Sequence, residues 1–149
     1  MTAIKGFAGV DATTGQLLRQ QSCAPFEAAT VTGIDLKSAA ATTIWTVPSI
    51  GGTAAFFPTC MLLYCTDANT VTVVPTVRAG VSTSLTSLMA AKSLTGFNQA
   101  GQYIDLMNAT PAAVKYGCPQ GSIIQLSVTV GATATTMTGG VSLFGFFLG

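Results

Sequence analysis

Of 149 residues only six are Lys or Arg and five are Asp or Glu, and histidine is absent. A typical soluble domain has about a quarter of its residues charged, so this surface must be built from Thr, Ser, Ala, Gly, Asn and Gln. Without His the Ser-His-Asp and Cys-His arrangements cannot be made, and a surface with so little charge favours association.

The chain opens with residues 1–29, which differ in texture from the rest. They hold Gly6, Gly9, Gly15 and Pro25, with Lys5, Asp11, Arg19 and Glu27 spread singly among them. Gln16–Gln21 has the composition of a helical turn but is too short to stand alone. The segment reads as an extended N-terminal arm with one short strand, its apolar anchors being Ile4 and Phe7. An ordinary first strand and loop is the alternative.

From Thr30 the pattern is that of strands. Thr30–Lys37 alternates weakly around Gly33, and Thr42–Val47 carries Ile44 and Trp45, both good strand formers. Gly51-Gly52 supplies a turn. Phe56–Cys65 is a largely apolar run, as expected of a strand buried on both faces. Asp67–Asn69 reads as a turn and Thr70–Val74 as a Thr/Val strand, after which Pro75 marks an edge or a bulge. Within the Ser-, Thr- and Ala-rich stretch Gly80–Gly101, Leu85, Leu88 and Met89 recur at helical spacing. The serines and threonines around them favour a loop or a broken strand.

Gln102–Met107 is the next expected strand, with Tyr103 and Ile104 on opposite faces. Pro111–Gly121 is loop. Ser122–Val130 alternates clearly, with Ile124, Leu126, Val128 and Val130 on one face and Gln125, Ser127 and Thr129 on the other. Gly131–Gly140 reads as a turn or Thr-rich connector before a final apolar strand, Val141–Leu148. That strand would place Phe144, Phe146 and Leu148 on one face and Leu143 and Phe147 on the other. Both faces are apolar, so one can serve the core while the other needs a second layer or another subunit. Strands at this spacing with Gly and Pro turns predict an all-β sandwich of about eight strands over residues 30–149.

The chemistry-bearing residues are sparse. Asp11, Glu27, Asp35, Asp67 and Asp105 are single and far apart, which leaves little room for a paired-carboxylate hydrolase. No phosphate loop follows Gly51-Gly52 or Gly139-Gly140. No metal, cofactor or catalytic residue is therefore expected. Cys60 and Cys65 share one strand-like run at an odd offset, which sends them to opposite faces, too far apart to bridge. Four reduced cysteines acting as small apolar residues is one reading. A disulfide involving Cys23 or Cys118 is the other. Trp45, Phe56, Phe57, Tyr64, Tyr103 and Tyr116 are core residues by default and otherwise candidates for a sugar-binding surface.

Net charge is +1 and the six cations are scattered, so no nucleic-acid groove is expected. The apolar runs Ala54–Cys65 and Val141–Leu148 are too short to span a membrane as helices. The N-terminus has no apolar core preceding a cleavage site, so synthesis and folding in a cytosol are expected.

The segment Ile34-Asp-Leu-Lys-Ser-Ala-Ala-Ala-Thr-Thr-Ile-Trp-Thr-Val-Pro48 resembles the opening of small β-domains in tailed-bacteriophage virions. Gly51-Gly52, the long apolar run Phe56–Cys65, a Thr/Val strand, Gly101-Gln-Tyr-Ile104 and Leu126-Ser-Val-Thr-Val130 follow in the same order. The resemblance covers residues 30–149 and is to jelly-roll capsid cement (decoration) proteins. It implies a non-enzymatic, trimeric virion protein, made in the host cytoplasm and seated on the major capsid protein of an icosahedral head. Ile4, Phe7, Phe144 and Phe146 would be its interface residues. Related domains occur in head fibres and tail appendages, so a tail or fibre component binding a host glycan is the alternative.

Overall fold

The computed structural model describes residues 9–10, 17–18, 25–109 and 117–149. Two short strands, β1 (Gly9–Val10) and β2 (Leu17–Leu18), pair antiparallel as a separate two-stranded sheet. Leu17-Leu18 is thus strand, where a helical turn was one expectation. Ile4 and Phe7 lie outside the described residues.

The remaining strands form two antiparallel sheets packed face to face. They are β3 (Phe26–Asp35), β4 (Ala41–Thr46), β5 (Ala55–Asn69), β6 (Thr76–Val81), β7 (Ser84–Ser93), β8 (Tyr103–Asp105), β9 (Cys118–Pro119), β10 (Ile123–Val130) and β11 (Thr136–Leu148). One sheet has the order β4-β10-β6-β7. The other runs β3-β11-β5-β8, with β9 pairing to the start of β5. The fold is an all-β sandwich. The first sandwich strand begins at Phe26, so Phe26–Ala29 are hydrogen-bonded sheet, paired with Leu143–Gly145 of β11.

Alternation explains the core. Ile124, Leu126 and Val128 of β10 face inward beside Val77 and Ala79 of β6, and meet Met61 and Leu63 of β5 and Val141 and Leu143 of β11. All are buried. Burying each such side chain contributes about 1.5–3 kcal/mol relative to leaving it in water. An aromatic group closes one end of the sandwich. Trp45 meets Phe56 edge-on at 4.7 Å, Phe147 lies 5.5 Å from Phe56, and Phe26 stacks on Phe147 at 6.0 Å.

Several elements differ from expectation for local reasons. Ser84–Ser93 is a strand; its pairing with β6 shifts register twice, and such bulges bring the successive residues Leu88 and Met89 both to the core. Asp67–Asn69 continues β5, opposite Thr136–Thr138 of β11, which in turn takes up half of the expected connector. Thr70 has φ 54°, and the Thr/Val stretch after it forms only a single bridge, Val73 to Thr133. Thr76–Val81 is a central strand in which Arg78 and Gly80 break the apolar pattern. The strand from Tyr103 stops at Asp105, where its carboxylate accepts the Met107 N–H at 3.0 Å and caps a helical turn, α1 (Leu106–Ala109). Phe56–Cys65 is buried on its inner face and only half-buried on its outer one.

Candidate assembly surface

The outer faces of the two sheets have opposite character. On the sheet β4-β10-β6-β7 the outward side chains along the middle are polar, while Ile123 and Val130 at the two ends of β10 are exposed apolar residues. The Gln125 amide donates to the Thr43 hydroxyl at 3.2 Å, Arg78 Nε donates to the Ser127 hydroxyl at 3.4 Å, and the Thr129 hydroxyl donates to the Thr76 carbonyl at 3.1 Å.

The outer face of the other sheet is apolar along its middle. Register places Phe146 opposite Phe57 and Phe144 opposite Cys60. The rings of Phe57 and Phe146 stack with centroids 5.8 Å apart and planes 11° from parallel. Leu62 and Tyr64 extend the row, the Tyr64 ring lying over Gly140. These side chains are half-buried, whereas Leu143 and Phe56, on the inner face of the same strands, are fully buried. Hydroxyls flank and interrupt the row: Thr30 meets Ser142, which stands opposite Leu62, at 2.7 Å, and Thr66 meets Thr138 at 3.0 Å. The final strand therefore divides as expected, with Leu143 and Phe147 inward and Phe144 and Phe146 outward.

The carboxylates are engaged in local structure. Asp35 accepts the Lys37 N–H at 2.9 Å and the Ser38 hydroxyl at 2.6 Å, and the Ser38 bond first, then the Lys37 N–H, holds its pKa below the ordinary value. Asp105 accepts from Met61 N, Met107 N and the Asn108 amide. Glu27 accepts the Thr30 hydroxyl. Asp11 lies outside the described residues. Among the described residues no group of three or more His, Cys, Asp or Glu is placed to hold a metal ion, and no helix is long and apolar enough to cross a membrane.

Cys60, Cys65 and Cys118 are free thiols, and Cys60 and Cys65 fall on opposite faces of β5. Burial raises all three pKa values, that of Cys118 to about 11. Cys23 lies outside the described residues. Of the aromatic residues weighed for sugar binding, Trp45 and Phe56 belong to the core cluster, Phe57 is stacked on Phe146, and Tyr116 lies outside the described residues. Among the described members of this group Tyr103 alone is strongly exposed, at 73%.

One organising residue escaped the sequence reading. Gln120 accepts from the Ser49 hydroxyl and Ile50 N–H and donates to the carbonyls of Gly51, Gly52 and Ala54, at 3.1–3.3 Å. It clamps the loop ahead of β5 from 66–71 residues away.

No family model matches the chain, and no curated protein matches it. Among solved structures it is similar to a chain of the "Cyanophage Pam1 capsid asymmetric unit", with 16% sequence identity and a TM-score of 0.49 over 79% of this chain and 80% of that one.

Proposed function

We propose that this protein is a structural component of a phage virion, a cement protein that assembles as a homotrimer on the outer surface of an icosahedral head and ties neighbouring subunits of the major capsid protein together. The observation that carries the reading is the end of the C-terminal strand β11, from Leu143 to Leu148, apolar on both faces. Its inner side fills the core with Val141, Leu143 and Phe147. Its outer side presents Phe144 and Phe146 beside Phe57 and Leu62 on a sheet face bordered by neutral hydroxyls.

Such a face gains by being covered, since apolar area removed from water contributes about 25 cal/mol per Å². Neutral borders avoid the cost of stripping water from imperfectly paired charges. The trimeric state and the capsid partner come from the resemblance of residues 30–149 to cement proteins. The segment ahead of Phe26 is the proposed arm, with Ile4 and Phe7 as its anchors on a neighbouring subunit. The role is mechanical, and no step of it needs a cofactor or a catalytic group.

Quantitative mass spectrometry of purified virions tests the proposal. Hundreds of copies per particle are expected of a shell component. A handful of copies places the protein at a vertex or tail and overturns the cement reading. Absence from the virion overturns the structural role itself.

A further inference from the structure

Tyr103 is more exposed than any other large apolar or aromatic side chain among the described residues. It stands at the edge of its sheet, opposite Tyr64 on one side and with no strand paired on the other among the described residues. Beside it lies a cavity of about 480 Å³ lined by Thr95, Gly96, Phe97, Gly101, Gln102, Tyr103 and Ile104. That volume falls within the range of small-ligand sites, about 300–1,000 Å³.

The cavity is framed by two tight turns. In the first, Phe97 N–H donates to the Leu94 carbonyl at 2.9 Å and Gly96 has φ +84°. In the second, Gln102 N–H donates to the Gln99 carbonyl at 3.4 Å and Gly101 has φ +84°. A positive φ at the third position is the type II pattern, which favours glycine. Both turns are tied down. Phe97 is buried in the core, and Gly101 N–H and the Gln102 carbonyl pair with Cys65 at 2.9 and 2.8 Å. Gln102 Oε1 accepts both Asn98 N–H, at 2.7 Å, and Gln99 N–H, at 2.9 Å. Those two donors fix the orientation of the amide. Its Nε2 hydrogens have no acceptor among the described residues, and neither does the Thr95 hydroxyl have a partner there.

We infer that this cavity is a binding site for a neutral saccharide, which stacks a ring face on Tyr103 and hydrogen-bonds to Gln102 Nε2 and Thr95 Oγ1. Among the described residues no charged side chain lines the cavity, so these residues supply none of the cations that bind phosphate or carboxylate ligands. What it offers is an aromatic plate, an amide donor and a hydroxyl, held in a loop that is already ordered. That combination suits a ligand with an apolar ring face and a rim of hydroxyls, and pre-organisation lowers the entropy cost of binding it. A peptide adding a strand to β8 is the competing occupant. The strand is only three residues long before α1 begins, too short for an extended ladder. The inference does not depend on where in a virion the protein sits.

Saturation-transfer NMR on the full chain, with maltotriose and triacetylchitotriose as probes, tests it. Transfer to the ring protons of at least one saccharide is expected, with low-millimolar affinity. Tyr103→Ala, a change at an exposed position, should weaken binding by at least about tenfold, a loss of about 1.4 kcal/mol. Tyr103→Phe keeps the stacking face and should bind within about threefold of the parent. No transfer to either saccharide, or transfer that Tyr103→Ala leaves unchanged, overturns the inference. So does a peptide of residues 1–24 that shifts the Tyr103 resonances where the saccharides do not, which would assign the cavity to a second copy of this chain.

Discussion

Replacing Phe146 by Ala separates folding from assembly. Phe146 lies on the outer face of the sheet, half-buried, with one stacked partner, Phe57, at 5.8 Å. Full burial of a Phe side chain is worth about 1.5–3 kcal/mol, so a half-buried one contributes about half of that. Losing the stacked pair removes a further 0.5–1.5 kcal/mol or about that much. Phe146→Ala should therefore cost the isolated subunit about 2 kcal/mol. Phe56, fully buried on the inner face, should cost about 3–5 kcal/mol when cut to Ala. The assay is urea unfolding at two protein concentrations combined with sedimentation velocity. The parent chain should sediment as a trimer at micromolar concentration and unfold at a concentration-dependent midpoint. Phe146→Ala should retain the native β circular dichroism, sediment as a monomer and lose the concentration dependence. If the variant keeps the parent's trimer and its midpoint shift, the outer face is not the assembly surface. If it unfolds as badly as Phe56→Ala, the outer face belongs to the folding core and the division of β11 argued above is wrong.

Five further outcomes are expected. Cys118 should resist iodoacetamide in the folded protein near neutral pH and react after unfolding in urea, because burial raises its pKa from 9.0 to about 11. The folded state holds that proton more tightly than the unfolded chain, so its contribution is fully present below pH 9.0 and is lost as pH rises through about 11; Cys118→Ala should flatten the alkaline limb of stability against pH. Gly131→Ala should destabilise by about 3 kcal/mol in a denaturant titration, since an added Cβ would lie 1.7 Å from the Lys37 carbonyl oxygen, a backbone atom that cannot swing away. Gln120→Ala should leave the core transition in place but speed hydrogen exchange at the Ile50 amide, which donates to it. Removing residues 1–25 should leave a folded sandwich, measured by circular dichroism, that binds particles more weakly; unchanged binding would exclude the arm and its anchors Ile4 and Phe7.

The elements readable in the chain were those whose faces alternate without interruption. Ser122–Val130 matches the span of β10, with Ile124, Leu126 and Val128 inward as expected, but Val130, expected beside them, is exposed where the pairing with β6 shifts register after Val128; the inward Leu143 and Phe147 were separable from the outward Phe144 and Phe146 by period alone. The opposition of Tyr103 and Ile104 was equally legible: one is exposed and the other packs on the core. Bulges hid the rest. In β7 two successive buried residues, Leu88 and Met89, imitate helical spacing. In β11 the irregular pairing between Gly139 and Val141 with β3 makes the strand's start look like a connector. Thr76–Val81 was invisible because Arg78 and Gly80 interrupt its run of apolar residues; in the fold Arg78 reaches Ser127 on the polar outer face, and Gly80 is buried where the β7 backbone passes close. The Gln120 clamp and the Gln102 cradle were not legible either. Each depends on backbone groups brought near by the fold, and an isolated Gln carries no periodic signal.

The proposed role is mechanical: copies of this protein strengthen a capsid by binding across its subunits. The most direct measurement is the temperature at which virions release their DNA, followed by dye fluorescence, for particles with and without the protein and after adding it back. Release is expected at lower temperature without the protein, restored by the parent chain and not by Phe146→Ala. Release at the same temperature with and without it would contradict the claim.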